Sequence, residues 1–392
     1  MADQSAGENQ HVSISGGLAG LLQSLGIAVA FTSYQSGLLY LLGRNASGAH
    51  LHQAAIGRPM GLARCGERGL VLTTGHQIIR FENPLEAHEK VNNQFDACFV
   101  PRTTHLTGEL DAHDVGVEAD GGIVFVNTRL NCLARPDMQH SFAPVWRPPF
   151  ISALVDEDRC HLNGLAMRDG KPAYVTAASR SDTVDGWRDR RADGGVVIDV
   201  ATGEIVCEGL SMPHSPRWYR GELWVLNSGT GELGVVEGLG TGKPRAAGKA
   251  RGKFVPRVFC PGFVRGLAFH GDYAVVGLSK PRYQRFEGLA LDQRLKDADS
   301  EPWCGIQIID IRRGVCVEWL RIDGAVAELY DVEVLPGLAC PMAISPSTPE
   351  AVQFVTWEGR IPLNPAPASA RPPVPSGEAA PATPEAPALA AA

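Results

Sequence analysis

The chain has 392 residues, 44% of them apolar and 20% charged, with a net charge of −7 and a pI near 5.9. That balance supplies a large core and argues against a nucleic-acid groove, which needs a basic face. The 44 glycines and 28 prolines suit a fold with many tight turns.

Residues 1–11 are polar and lack the basic start and apolar stretch of a secretory signal. The expectation is a disordered N-terminal segment on a cytoplasmic protein. The apolar run over residues 18–31 is broken by Gln23, Ser24 and Gly26 and is too short to span a bilayer, so no membrane partner is expected. Two strands follow, Ile27-Ala28-Val29-Ala30-Phe31-Thr32 and Gly37-Leu38-Leu39-Tyr40-Leu41-Leu42, with a turn between them. A third is expected over residues 50–56.

From there one phrase recurs about every 50 residues. Its copies start at Met60-Gly61-Leu62-Ala63, His113-Asp114-Val115-Gly116, Asn163-Gly164-Leu165-Ala166, His214-Ser215-Pro216-Arg217, Arg265-Gly266-Leu267-Ala268 and Tyr330-Asp331-Val332-Glu333. Most lead through a polar turn into a β-rich run such as Leu223-Trp224-Val225-Leu226-Asn227. Short strands repeating at this length predict a β-propeller. Residues 329–335 read as an innermost strand with little after it, and no such strand precedes residue 27. The two ends are therefore expected to share a blade, the C-terminal segment giving the inner strand and the N-terminal segment the outer three, which removes a free edge. The prediction is an all-β, six-bladed propeller over residues 12–361.

Insertions at 130–158, 178–194 and 281–303 are long enough to be functional, and are expected to cover one mouth of the channel. Beyond residue 362 the chain turns to Pro, Ala, Ser and Glu, which reads as a disordered tail. Nine scattered cysteines without C-x-x-C spacing read as reduced, mostly buried thiols.

The chemistry is expected where the innermost strands begin. Side chains two apart on a strand share a face, so polar groups at the repeat starts can line the channel. His113, His161 and His214 come from three consecutive repeats and could bind a divalent transition metal, zinc, iron or copper, with positions left open. Asp111 or Asp114 would be a fourth ligand or orient a ring, and Asp114 is also a candidate catalytic group. A metal-free catalytic site and hydrogen-bonded strand ties are the other readings of the trio. Aligning the repeats on their turns sets Asp114 against Asn163 and leaves His214 about one residue out of step. Arg217 and Arg265 could hold an anionic substrate or form internal salt bridges. Arg180, within Ala178-Ser179-Arg180-Ser181-Asp182, could reach the mouth as a third anchor. Tyr330 could donate a proton. The chain has no G-x-S-x-G elbow, Walker loop or H-E-x-x-H.

Several phrases, Asp111-Ala112-His113-Asp114, His161-Leu162-Asn163-Gly164-Leu165-Ala166, Gly186-Trp187-Arg188, Gly194-Gly195-Val196 and Pro213-His214-Ser215-Pro216-Arg217-Trp218 among them, together resemble a bacterial family of conserved uncharacterised proteins. The resemblance covers about residues 15–345 and implies a propeller without assigning a reaction. Locally, Asn163-Gly164-Leu165-Ala166 with Asp169-Gly170 and Ala173-Tyr174-Val175-Thr176 is similar to gluconolactonase and senescence-marker propellers. That similarity implies Asn163 as a ligand of catalytic calcium, although histidines stand where calcium prefers oxygens. The functional expectation is a metal-dependent enzyme acting on a small anionic or peptide-like substrate by hydrolysis, elimination or oxygen chemistry. The alternatives are a calcium-dependent lactonase-like hydrolase and a non-catalytic propeller that binds a protein or peptide partner.

Overall fold

Strands rich in β-branched and aliphatic residues, most of them closed by a Gly- or Asp-bearing turn, make six antiparallel sheets in the computed structural model, which describes residues 10–239, 250–282 and 285–357. The sheets are the blades of a six-bladed β-propeller. Blade 1 joins Val332–Pro336, innermost, to Ile27–Ser33, Leu38–Asn45 and Gly48–Ala55. Blade 2 holds Leu62–Cys65, Gly69–Thr73, Gln77–Glu82 and Ala97–Leu106, and blade 3 holds Ala112–Val117, Ile123–Asn127, Cys132–Arg135 and Ala143–Trp146. Blade 4 holds Leu162–Arg168, Lys171–Ala177, Gly195–Asp199 and Ile205–Leu210, and blade 5 holds Pro213–Tyr219, Glu222–Asn227, Glu232–Glu237 and Lys253–Phe259. Blade 6 holds Phe263–His270, Tyr273–Ser279, Cys304–Asp310 and Val315–Gly324. The shared blade forms as the sequence predicts: Ile27 pairs with Pro336 and Phe31 with Val332.

The termini do more than share that blade. Gln10–Ile14 pairs along the outer strand of blade 6, so Gln10 and His11 belong to a strand rather than to a polar leader. Pro341–Ala343 adds in parallel to Ala97, Cys98 and Phe99 at the edge of blade 2. The broken apolar run divides into a helix, Leu18–Leu25, and the start of the strand Ile27–Ser33; Leu18 and Leu22 of the helix are fully buried against blades 1 and 6. Gly26 ends the helix at φ 63°, a left-handed turn that lets its N–H reach the Leu22 and Gln23 carbonyls. Among the described residues no helix is long and apolar enough to cross a membrane. Residues 10–354 fall in one unit, and residues from Val355 on in another. The expectations for residues 1–9 and 362–392 lie outside the described residues. All nine cysteines are free thiols, and only Cys316 is exposed.

Hydroxyls tie neighbouring blades at four of the junctions and mark the register of the repeats. Thr73 donates to the Ala112 carbonyl (2.7 Å), Thr128 to Leu162 (2.7 Å), Ser228 to Val264 (2.6 Å) and Ser279 to Leu329 (3.2 Å). Those four carbonyls are equivalent, which makes His113, Asn163, Arg265 and Tyr330 equivalent too. His214 joins this ring, because its Nδ1 meets the Met212 carbonyl and Ser228 as that of His113 meets the Asp111 carbonyl and Thr128. Asp111, His161 and Met212 therefore share the position two residues earlier, with Arg58. These four non-glycine residues adopt left-handed φ values of 52° (Asp111), 51° (His161), 49° (Met212) and 52° (Arg58), a conformation that costs of order 1 kcal/mol each.

Candidate functional site

A cavity of about 1070 Å³ opens at the mouth where the innermost strands begin. Arg58, Asp111, His161, Met212, Phe263 and Glu328 line it from one ring of equivalent positions, and Met60, His113, Arg265 and Tyr330 from the next. The second and third insertions cover it with Trp187, Arg188 and Arg191 on one side and Arg282, Arg285, Phe286 and Leu289 on the other. The two insertions meet in an apolar contact in which Trp187, Met212, Phe263 and Leu289 cluster. Among the described lining residues seven are cationic and four carry carboxylates, a net positive set in a chain of charge −7.

The hydrogen bonds fix the tautomer of each histidine. Thr128 spends its proton on the Leu162 carbonyl, so His113 Nδ1–H must be the donor toward Thr128 Oγ1 and the Asp111 carbonyl (both 2.8 Å). Ser228 likewise donates to Val264, and His214 Nδ1–H faces the Met212 carbonyl (2.8 Å) and Ser228 (2.9 Å). His161 Nδ1–H donates to Asp158 Oδ2 at 2.9 Å. In each ring this leaves Nε2 for other partners. That of His214 accepts from the Asn163 amide at 3.1 Å, and neither residue lines the cavity. Those of His113 and His161 have no partner among the described residues, and both rings line the cavity, edge to face with centroids 4.9 Å apart.

Trp187 holds the His161–Asp158 pair in place. Its ring stacks on His161 at 4.1 Å, and its Nε1–H donates to the same Asp158 oxygen at 3.0 Å. Burial lowers the pKa of His113 against the opposing pull of Asp111, which keeps the ring neutral. Burial also works to raise Asp111, but His113, His161, Arg265 and Arg58 outweigh it and hold that carboxyl below its usual value.

Two further lining residues carry buried polar atoms without a hydrogen-bond partner among the described residues. Tyr330 is 7% exposed and its hydroxyl has no hydrogen-bond partner among the described residues; burial pushes its pKa well up, so it stays protonated. Arg265 is 8% exposed, its Nε is unpartnered, and its nearest carboxylate oxygen, on Glu328, lies 3.9 Å away. Glu328 is already engaged by Arg282 at 2.8 Å and by the Tyr34 hydroxyl at 3.0 Å.

Arg217 and Asp114 are placed elsewhere, in a plug formed by the innermost strands. Arg217 donates to Asp114 (2.9 Å), Asp331 (3.3 Å) and the carbonyls of Leu165 (3.1 Å), Pro216 (3.0 Å) and Leu267 (3.0 Å). Asp114 also accepts the Leu165 N–H, and Asp331 the Leu62 N–H, each on the next blade. The internal salt bridge, not a substrate, takes this guanidinium. Neither Arg217 nor Asp114 is among the cavity-lining residues. Arg180 is exposed and off the lining, and its neighbour Asp182 is tied to Arg159 (2.8 Å) and the Ser152 N–H (3.1 Å) in a hydrogen-bonded turn.

The donor set does not fit the three-histidine metal centre. His214 spends its free nitrogen on Asn163, and among the described residues no three His, Cys, Asp or Glu side chains are arranged to hold a metal ion. Asn163, the calcium candidate, faces His214 rather than the cavity. Sequence reasoning passed over Asp158, Trp187, Tyr34, Arg282, Phe286 and Glu328. The available signals were Asp158 three residues before His161 and the Gly186-Trp187-Arg188 phrase inside an insertion.

No curated protein matches the sequence. Solved structures similar to this chain include one from the nidogen/laminin complex, at 12% identity and TM-score 0.47, covering 80% of this chain and 99% of that one. Virginiamycin B lyase from Staphylococcus aureus follows at 10% and 0.38, covering 80% and 99%, and a putative gluconolactonase at 9% and 0.39, covering 70% and 91%. At residues 16–344, nearly the whole propeller, the sequence matches the profile described as "Domain of unknown function (DUF4915)", and the chain belongs to that family.

Proposed function

We propose that this protein is an enzyme that hydrolyses or eliminates a small organic anion by general acid–base catalysis in the covered cavity. One observation carries the reading: the partner-free Nε2 atoms of His113 and His161 share a cationic chamber with a phenol that has no hydrogen-bond partner and a guanidinium whose nearest carboxylate oxygen is 3.9 Å away. His161 would be the base. Its Nε2 takes a proton from water or from a substrate C–H, and Asp158 stabilises the imidazolium through Nδ1–H. Negative charge developing on a substrate oxygen would meet Arg265 and the Tyr330 hydroxyl. The substrate enters past the arginines of the insertions.

The test is a turnover screen of anionic lactones, aryl esters and β-substituted acids with wild type and His161→Gln. Turnover reduced about 100-fold or more in the variant, with unfolding unchanged, supports the reading. No turnover in any class by wild type would turn attention to a non-catalytic role in binding a peptide or protein partner. A second reading keeps a divalent metal on His113 and His161 alone, since donation from Nδ1 with Nε2 left open is the arrangement metal-bound histidines use. About one equivalent of zinc, iron or copper in tag-free protein, lost in the His161 variant, would establish it.

A further inference from the structure

We propose that the cavity selects a monocarboxylate with an apolar body of aromatic size, the carboxylate sitting on Arg265 and Tyr330 and the body against the apolar wall that the insertions build. The inference deepens the reading of the cavity as a site for an organic anion and rests on it.

Arg265 is the starting point. A guanidinium presents five N–H donors in a planar fork, and leaving it buried without acceptors is costly. This one is 8% exposed, its Nε has no partner among the described residues, and its nearest carboxylate oxygen, on Glu328, stays 3.9 Å away, beyond hydrogen-bond reach. It lies over the Phe263 ring at 5.3 Å and the Tyr330 ring at 5.2 Å, so two aromatic faces hold it. The Tyr330 hydroxyl beside it is equally unpartnered. One fork and one hydroxyl match the two oxygens of a carboxylate, which accepts Arg in bidentate fashion.

The charge of the ligand follows from the neighbours. Arg58, Arg282 and Arg285 also line the cavity, but their side chains are 57%, 58% and 68% exposed, so they steer an anion more than they bury one. Asp111 and Glu328 flank the buried seat, and their negative charge disfavours a second charge on the ligand. A phosphate monoester fits worse than a carboxylate on that count.

The shape follows from the wall. Trp187, Met212, Phe263, Phe286 and Leu289 bring apolar surface to the cavity, and Phe263 and Phe286 stack with centroids 6.1 Å apart. An acetate-sized anion would leave that surface wet, whereas the cavity volume is at the upper end of that of sites for drug-sized ligands.

The test is calorimetric titration of the full chain with 3-phenylpropionate, acetate, 3-phenylpropionamide and phenyl phosphate. The expected result is that 3-phenylpropionate binds at least 10-fold tighter than each of the other three. Arg265→Gln and Tyr330→Phe should each weaken 3-phenylpropionate about 10-fold or more, Arg265→Lys less so. Phe286→Ala should weaken 3-phenylpropionate while leaving the melting curve within a few degrees of wild type. Phenyl phosphate binding as tightly as the carboxylate, an amide that competes with it, or affinity unchanged in Arg265→Gln would overturn the proposal. Binding is read without turnover. Carboxylate binding in a protein that turns nothing over therefore sinks only the enzyme reading, and turnover of substrates that lack a carboxylate sinks only this one.

Discussion

Replacing Arg217 with Met keeps an unbranched apolar stem in the plug and removes its charge and donors. The guanidinium makes five hydrogen bonds there, two of them to carboxylates whose side chains are 5% (Asp114) and 4% (Asp331) exposed. Without it Asp114 and Asp331 face each other in the interior with no cation between them. Breaking a buried pair by deleting one partner costs about 3–5 kcal/mol, and spread over the unfolding entropy of a chain this long that is roughly a 4–7 °C drop in Tm. The loss should show in urea unfolding followed by tryptophan fluorescence at pH 7.5. In an Asp114→Asn, Asp331→Asn background the same replacement should cost about 1 kcal/mol or less, because no buried charge is left to strand.

Alkaline pH supplies a second check. Burial already pushes Asp331 up to about 8, with Arg217 pulling against it. Losing Arg217 raises that carboxyl further. A carboxyl raised above its unfolded value lets the folded state bind more protons, so folding is favoured below that window and penalised as pH rises through it. The folded wild type already holds that proton below about 8, so the deficit of the variant should stay nearly flat between pH 7.5 and 5 and widen as pH rises through 8. A cost within about 1 kcal/mol of wild type, or a deficit that does not widen above pH 8, refutes the plug.

The histidines predict the opposite pH trend for the wild type. Burial drives His214 well below its ordinary value and the Asn163 amide donates to its Nε2, so it folds neutral. Stability from such a group is complete above the unfolded pKa of about 6.5 and lost as pH falls below it, at up to about 1.4 kcal/mol per pH unit. Denaturation curves from pH 7.5 to 5 should show a steeper loss for wild type than for His214→Gln, and parallel slopes would contradict the neutral assignment. Trp187→Phe keeps the ring against His161 but deletes the N–H bonded to Asp158. We expect kcat to fall about 10-fold and its pH profile to move, with KM and unfolding little changed; an unmoved profile would make Trp187 simple packing. Gly164→Ala should lose about 2 kcal/mol or more, since a Cβ there would lie 2.3 Å from Pro216 Cδ and 2.9 Å from the Ser215 backbone nitrogen. Gly20→Ala, on the exposed side of the helix with nothing within 4 Å of the new carbon, should be neutral or gain up to about 1 kcal/mol. Equal effects at the two glycines would contradict the close approach of blades 4 and 5.

The blade shared by the termini was legible because Ile27–Ser33 and Leu38–Asn45 are unmistakable strands with no inner partner ahead of them, and residues 329–335 are an inner strand with nothing behind. The edge strands were not. Pro341–Ala343 is three residues long, and Gln10–Ile14 reads as polar until its partner strand is known. Residue types at the repeat starts did mark the cavity, and His113, His161, Arg265, Asp111 and Tyr330 all line it. What failed was register. Eight residues separate His113 from the turn glycine Gly121, but seven separate Asn163 from Gly170, so alignment on turns slips blade 3 against blade 4. Roles failed for a different reason. Whether Arg217 meets a substrate or Asp114 and Asp331 depends on residues more than 100 positions apart, and no local pattern carries that.

The way the two ends are woven has a kinetic consequence. The N-terminal segment runs from blade 6 into blade 1, and the C-terminal segment from blade 1 onto blade 2. Opening the ring therefore means peeling strands from three adjacent blades together, not parting one seam. Contacts that join residue 10 to residue 324 and residue 97 to residue 341 can form only after nearly the whole chain has been made. Such wide sequence separation slows folding, and if these contacts form after the rate-limiting step they act on the unfolding rate instead. The expected molecule assembles slowly and, once closed, gives proteases few partly open states to cut.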